Sequence, residues 1–114
     1  MIRIYHNSRC SKSRATLELL EQRGEQLEVI NYLETPPSAT ELGVLLGQLN
    51  MSARQLLRQS EDEYQTLGLD NPALDDAALI AAMVAHPKLI ERPIVVANGK
   101  AAIGRPPESV LAIL

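Results

Sequence analysis

Cys10 is the only cysteine in the chain, and it lies in the stretch YHNSRCSKSR (residues 5–14) with Arg9, Lys12 and Arg14 around it. A lone thiol cannot close an internal disulfide, so it is either inert packing or chemistry, and a reducing, cytoplasmic setting is the expectation. Free cysteines that are structural sit among apolar neighbours. This one has Arg9 before it and Ser-Lys-Ser after it. The preceding IRIY reads as a strand and the following SKSRATLELLEQRG as a helix, which puts Cys10 at or beside a helix N-terminus. Unpaired backbone N–H groups and the positive end of the helix dipole favour an anion there. A thiolate is such an anion, and thiol pKa values fall from about 8.5 towards 4–7 at these positions. The residue types therefore predict a nucleophilic thiolate.

The loop reads C-x-x-S: Ser13 stands where a dithiol loop would carry its second cysteine, so any disulfide step must borrow an outside thiol. Ser13 itself could hydrogen-bond the thiolate or the helix start. His6, four residues before Cys10, either donates to the thiolate or closes the strand. His86, ahead of Pro87, reads as a helix C-terminal cap. No His, Cys, Asp and Glu residues fall at metal-ligand spacing, and no Gly-rich phosphate loop is present.

The elements that must position these residues follow from pattern. Leu17, Leu19 and Leu20 sit at helical spacing before Gly24, and LEVINYL (27–33) reads as a second strand. Strand, helix and strand in so short a span make a right-handed βαβ unit with two parallel strands. Ser38 with Glu41 forms a capping box ahead of a Leu42, Leu45, Leu46, Leu49 stripe. Residues 53–70 are less regular and read as short helical turns. Asp75 and Asp76 suit the start of a helix that carries Leu79, Ile80, Met83 and Val84 to His86. Asn98-Gly99 between two apolar runs predicts a two-residue type I′ hairpin, joining 93–97 to 100–103. RPPESVLAIL is read as a closing helix. The order predicts one α/β domain over residues 1–114: a thioredoxin-like, mixed four-stranded sheet built from βαβ and ββα units, with a helical insertion at about 36–86.

With 114 residues there is room for one core, and with no Phe or Trp it must rest on aliphatic side chains. The net charge of -3 argues against a nucleic-acid partner. No apolar run reaches the roughly 20 residues of a membrane span, and the start lacks a signal-peptide core.

YHNSRCSKSRATLELL, NYLETPPSATEL, RQLLRQSEDEY, LGL, HPKLIERPIVV and GRPPESVLAIL together resemble, in order and spacing and nearly end to end, the glutaredoxin-coupled arsenate reductases. That resemblance implies that Cys10 is the catalytic nucleophile. It implies that Arg58, Arg92 and Arg105 bind the arsenic oxyanion, Arg58 being delivered by the insertion, and that Pro93 is the superfamily's cis-proline. No bound cofactor is implied; glutathione is the co-substrate and glutaredoxin the partner. Arginine's planar fork suits a tetrahedral oxyanion. The chain departs from the family in Ser11 and Lys12, where Gly-Thr is common, and in Ser8-Arg9, where Pro-Ala is common. Two other readings stand beside this one: a glutathione-dependent thiol oxidoreductase with another substrate, and a redox-responsive transcription regulator. Regulators of this fold commonly switch through C-x-x-C, which Ser13 removes.

Overall fold

A computed structural model describes residues 1–114. The chain divides into two compact units, one made of residues 1–35 and 92–114, the other of residues 36–91.

The first unit is the sheet. Strand β1 (Ile2–His6), helix α1 (Ser11–Gln22) and strand β2 (Leu27–Asn31) form the βαβ unit, and β3 (Ile94–Ala97) and β4 (Lys100–Ile103) form the hairpin. The strand order is β2-β1-β3-β4: β1 is parallel to β2 in the register Ile4↔Val29 and antiparallel to β3 in the register Ile4↔Val95. This is the predicted mixed, thioredoxin-like sheet. Because side chains alternate along a strand, Ile2 and Ile4 share a face with Val95 and Ala97. On that face they form one apolar cluster with Leu20 of α1 and Val110 near the C-terminus. Ile4, Leu20, Val95 and Val110 are fully buried, each contributing about 1.5–3 kcal/mol relative to exposure. The face thus holds α1 against the sheet, and with it the loop that carries Cys10.

Two sequence expectations are refined by the structure, and a third is met. The second strand ends at Asn31 rather than residue 33, because Glu34 and Thr35 N–H groups turn back onto the Asn31 carbonyl at 3.0 and 2.9 Å. The closing segment is a 3₁₀ helix, Pro107–Ile113, not an α-helix. Pro106 and Pro107 open it without backbone donors. The hairpin turn is as predicted, with Asn98 and Gly99 both at positive φ (55° and 74°), the geometry a type I′ turn requires.

The second unit is helical: α2 (Ala39–Leu49), α3 (Ala53–Leu56), α4 (Asp62–Thr66) and α5 (Asp76–Ala85), then a 3₁₀ turn, Pro87–Leu89. The Ser38–Glu41 capping box is formed, and a second, unanticipated one joins Ser52 to Gln55. A cap of this kind is worth about 1 kcal/mol. Asp75 caps α5 by accepting from the Ala78 N–H, and His86 is its C-cap. Helix α5 packs against α2 and α3, with Leu42, Leu56, Leu79 and Met83 fully buried. No helix is long and apolar enough to cross a membrane.

Candidate active site

Cys10 is the N-cap of α1, in extended backbone conformation with no side chain capping the helix end. Its position is set by the turn that precedes it: the Cys10 N–H donates to the Asn7 carbonyl at 3.0 Å, and the Arg9 N–H to Asn7 Oδ1 at 3.0 Å. Arg14 Nη1 closes the loop by donating to the Ser8 carbonyl at 2.9 Å. The sulfur then meets the donors that the first turn of a helix leaves open.

Cys10 is buried, 8% exposed. Burial pushes its pKa up, and this is the largest single influence. It is outweighed by the Ser13 N–H, the Arg92 guanidinium, the Lys12 N–H and the charge of Arg105, so the net shift is downward. Arg105 Nη2 lies 3.4 Å from Sγ, and Arg105 Nε donates to the Arg92 carbonyl at 2.8 Å. One arginine therefore binds the sulfur while fixing the backbone of the other.

Ser13 is fully buried. Its hydroxyl accepts from the Asn7 N–H at 3.0 Å and lies 2.6 Å from His6 Nδ1. Burial, reinforced by the positive charge of Arg14 and only partly opposed by Glu21, lowers the His6 pKa. A neutral His6 and the Ser13 hydroxyl share one hydrogen bond whose direction follows the tautomer. The pair fastens the end of β1 to the first turn of α1, while the Ser13 backbone serves the thiol.

The Arg92–Pro93 peptide bond is cis, and so is Arg105–Pro106, which nothing in the sequence reading flagged. Gly104 is a second residue that the reading passed over. A Cβ there would collide with the Thr16 hydroxyl and stand 2.8 Å from Pro93 Cγ. The end of β4 can therefore run beside α1 and Pro93 only without a side chain. Gly104 N–H donates to the Pro93 carbonyl at 3.0 Å, which sets Arg105, the next residue, at the sulfur.

Arg58 belongs to the other unit. Its guanidinium is engaged by Glu91 at 2.9 Å and by Glu61 at 3.5 Å. The sequence reading singled out the arginine but not these carboxylates; Glu61 lies three residues on, whereas Glu91 reaches Arg58 only by pairing across 33 positions of chain. Beside the Cys10 loop, His6, Asn7, Arg9, Asn31, Leu33 and Glu34 line a polar cleft of about 280 Å³. Nowhere are three His, Cys, Asp or Glu side chains grouped as metal ligands would be.

A thiol at the N-cap of the first helix, in a mixed sheet of a βαβ unit and a β-hairpin closed by a 3₁₀ helix, and facing arginines from the other half of that sheet, defines a thiol protein of the thioredoxin-like superfamily. The chain belongs to the ArsC family, whose match runs over residues 5–113. The arsenate reductase of Neisseria meningitidis serogroup A is 56% identical over 114 residues, covering 99% of this chain and 97% of its own. The uncharacterized protein YfgD of Escherichia coli K12 is 60% identical, with 99% and 96% covered. Among solved structures, the arsenate reductase from Vibrio cholerae is 56% identical, covers 99% of this chain and 97% of its own, and superposes with a TM-score of 0.96.

Proposed function

We propose that this chain is a cytoplasmic arsenate reductase that draws its electrons from glutathione and glutaredoxin. The observation that carries the reading is the Cys10 sulfur, met by the backbone N–H groups of Lys12 and Ser13 and by Arg92 and Arg105. That arrangement holds a thiolate ready and offers cationic forks to an incoming oxyanion. The similarity to named arsenate reductases supports arsenate as that oxyanion.

In this mechanism the Cys10 thiolate attacks pentavalent arsenic, forming an S–As bond while one arsenate oxygen leaves as water. Arg92 and Arg105, with Arg58 as a third oxyanion ligand, hold the charge of the remaining oxygens. Glutathione adds to arsenic, forming a second S–As bond as another oxygen leaves as water. The glutaredoxin thiolate then attacks the glutathione sulfur: that S–As bond breaks, its electron pair stays on arsenic, which becomes trivalent, and a glutathione–glutaredoxin mixed disulfide departs. Hydrolysis of the remaining Cys10 S–As bond releases arsenite and frees the thiol. Two thiols give up two electrons to become one disulfide, so the balance closes with no bound cofactor. The single cysteine of this chain requires outside thiols. The cleft beside the loop carries both signs of charge, Arg9 and Glu34, which suits a small zwitterionic peptide thiol such as glutathione. Neither a nucleic-acid nor a membrane partner enters the reaction.

The test is arsenate-dependent NADPH oxidation with glutathione, glutaredoxin and glutathione reductase present. Consumption that rises with arsenate and requires glutaredoxin is the expected result. NADPH loss independent of arsenate would move the assignment to a thiol oxidoreductase with another substrate.

A further inference from the structure

Arg58 and Glu91 stand on two short segments that pair with each other inside the 36–91 unit. Leu57 and Ile90 form an antiparallel bridge. The Arg58 N–H donates to the Leu89 carbonyl at 2.7 Å, and the Glu91 N–H to the Leu56 carbonyl at 3.1 Å. Side chains alternate across such a pairing, so Leu57 and Ile90 share one face, and both are buried. Arg58 and Glu91 share the other face as diagonal neighbours, within reach of long side chains. The backbone thus fixes which carboxylate the arginine meets.

A guanidinium binds an oxyanion best through two parallel N–H groups along one edge. Here Glu91 Oε1 accepts from Nη1 at 2.9 Å, and Glu61 Oε2 lies 3.5 Å from Nε. Only Nη1 is hydrogen-bonded to a carboxylate; Nε is buried without a hydrogen-bond acceptor and has the longer ion-pair contact alone. One positive charge faces two negative ones, and all three side chains are less than a third exposed. An oxyanion that takes the Nη1–Nη2 edge of Arg58 must displace Glu91, which holds the one hydrogen-bonded contact.

We propose that Glu91 is a positioning residue and the resting counter-ion of Arg58, one that an incoming oxyanion must displace. The inference rests on the reading of Arg58 as an oxyanion-binding arginine. Glu91 holds the fork in a defined place while the site is empty and raises the threshold for occupying it. A tetrahedral anion with several charged oxygens can replace Glu91 on the fork; a weakly charged anion with a single good acceptor cannot. The residue therefore selects by charge and shape.

The experiment compares wild-type protein with Glu91→Gln, which keeps the side chain's length and an acceptor oxygen but removes its charge. The KM for arsenate and the inhibition constant of inorganic phosphate should both fall by roughly two- to five-fold, the size expected of a partly exposed ion pair. The KM for glutathione should stay in place. In an Arg58→Ala background the same substitution should change neither constant. A purely structural role would instead raise KM or lower the unfolding temperature. Unchanged or raised KM and inhibition constants in a folded Glu91→Gln protein would overturn the inference and leave the arsenate reading intact. Wild-type protein with no arsenate turnover would remove that reading, and this inference with it.

Discussion

At the Cys10 loop, two arginines and two backbone N–H groups are gathered around a single sulfur and together lower its pKa. Around Arg58 the balance is reversed, with two carboxylates on one guanidinium. Both places hold an arginine expected to bind the same oxyanion, yet at the first the arginines act on a sulfur and at the second on carboxylates. A cation beside a buried thiol does its electrostatic work before substrate arrives, by holding the thiolate. A cation already matched by carboxylates works only after exchanging partners. Charge count along the chain cannot distinguish the two; the surrounding acceptors can.

The largest effect should come from the sulfur itself. Cys10→Ser should abolish arsenate turnover with the thermal unfolding midpoint unchanged, since a hydroxyl cannot enter a thiol–disulfide cycle. Residual arsenate reduction by that variant would remove the basis of the comparison.

Next come the arginines. Arg105→Ala and Arg58→Ala should each lower kcat/KM for arsenate by roughly 10- to 150-fold, corresponding to ~1.5–3 kcal/mol for a lost charged hydrogen-bond partner. Lysine should restore only part of it, because it keeps the charge and loses the fork. The two sites should separate in the pH dependence of Cys10 alkylation. The thiol's pKa is held below its ordinary value, so alkylation should rise and level off at lower pH than for a free cysteine. Arg105→Ala removes a lowering influence and should move the inflection up. Arg58→Ala should leave it in place, its charge being taken by Glu61 and Glu91. Equal shifts from both variants would erase the distinction between the regions. Arg23, exposed and paired only with Glu25, serves as a near-silent control.

The smallest effect should be that of Ser13→Ala. The N–H that serves the thiol survives the substitution, and what is lost is the hydroxyl between His6 and the Asn7 N–H. We expect a loss of about 1 kcal/mol of stability, read by urea unfolding, and a few-fold loss of activity at most. A loss of turnover as complete as that of Cys10→Ser would show that the hydroxyl takes part in the chemistry.

What the sequence disclosed was local. Ser38 with Glu41 and Asn98-Gly99 each carry their geometry within a few residues, and the structure forms both as read. The leucine stripe of α2 and the β-branched runs of β1 and β3 likewise announce their own period. What stayed hidden depends on partners far along the chain. The pairing of Arg58 with Glu91, the need for no side chain at Gly104, and the handover from Arg105 to the Arg92 carbonyl all arise between segments that only the fold brings together. The closing segment misled for a different reason. SVLAIL looks helical, but the Arg105–Pro106–Pro107 entry and the short run after it give a 3₁₀ helix. Cys10 itself was legible because its strand, its N-cap position and its neighbouring cations are all written within ten residues.

The sheet's strand order has a consequence for the chain as it leaves the ribosome. β1 lies in the interior of the sheet, yet Arg3 pairs with Val96, 93 positions later. Until that second half is synthesised, β1 and β2 can pair with each other but β1 keeps one side without a neighbour. A row of unpaired backbone groups on an apolar strand is a template for association with other chains. The nascent protein therefore passes through a stage with Ile2 and Ile4 on an open edge, which closes only when the Ile94–Ala97 strand emerges. That places the aggregation risk during synthesis, when a strand that is interior in the finished molecule is still an edge.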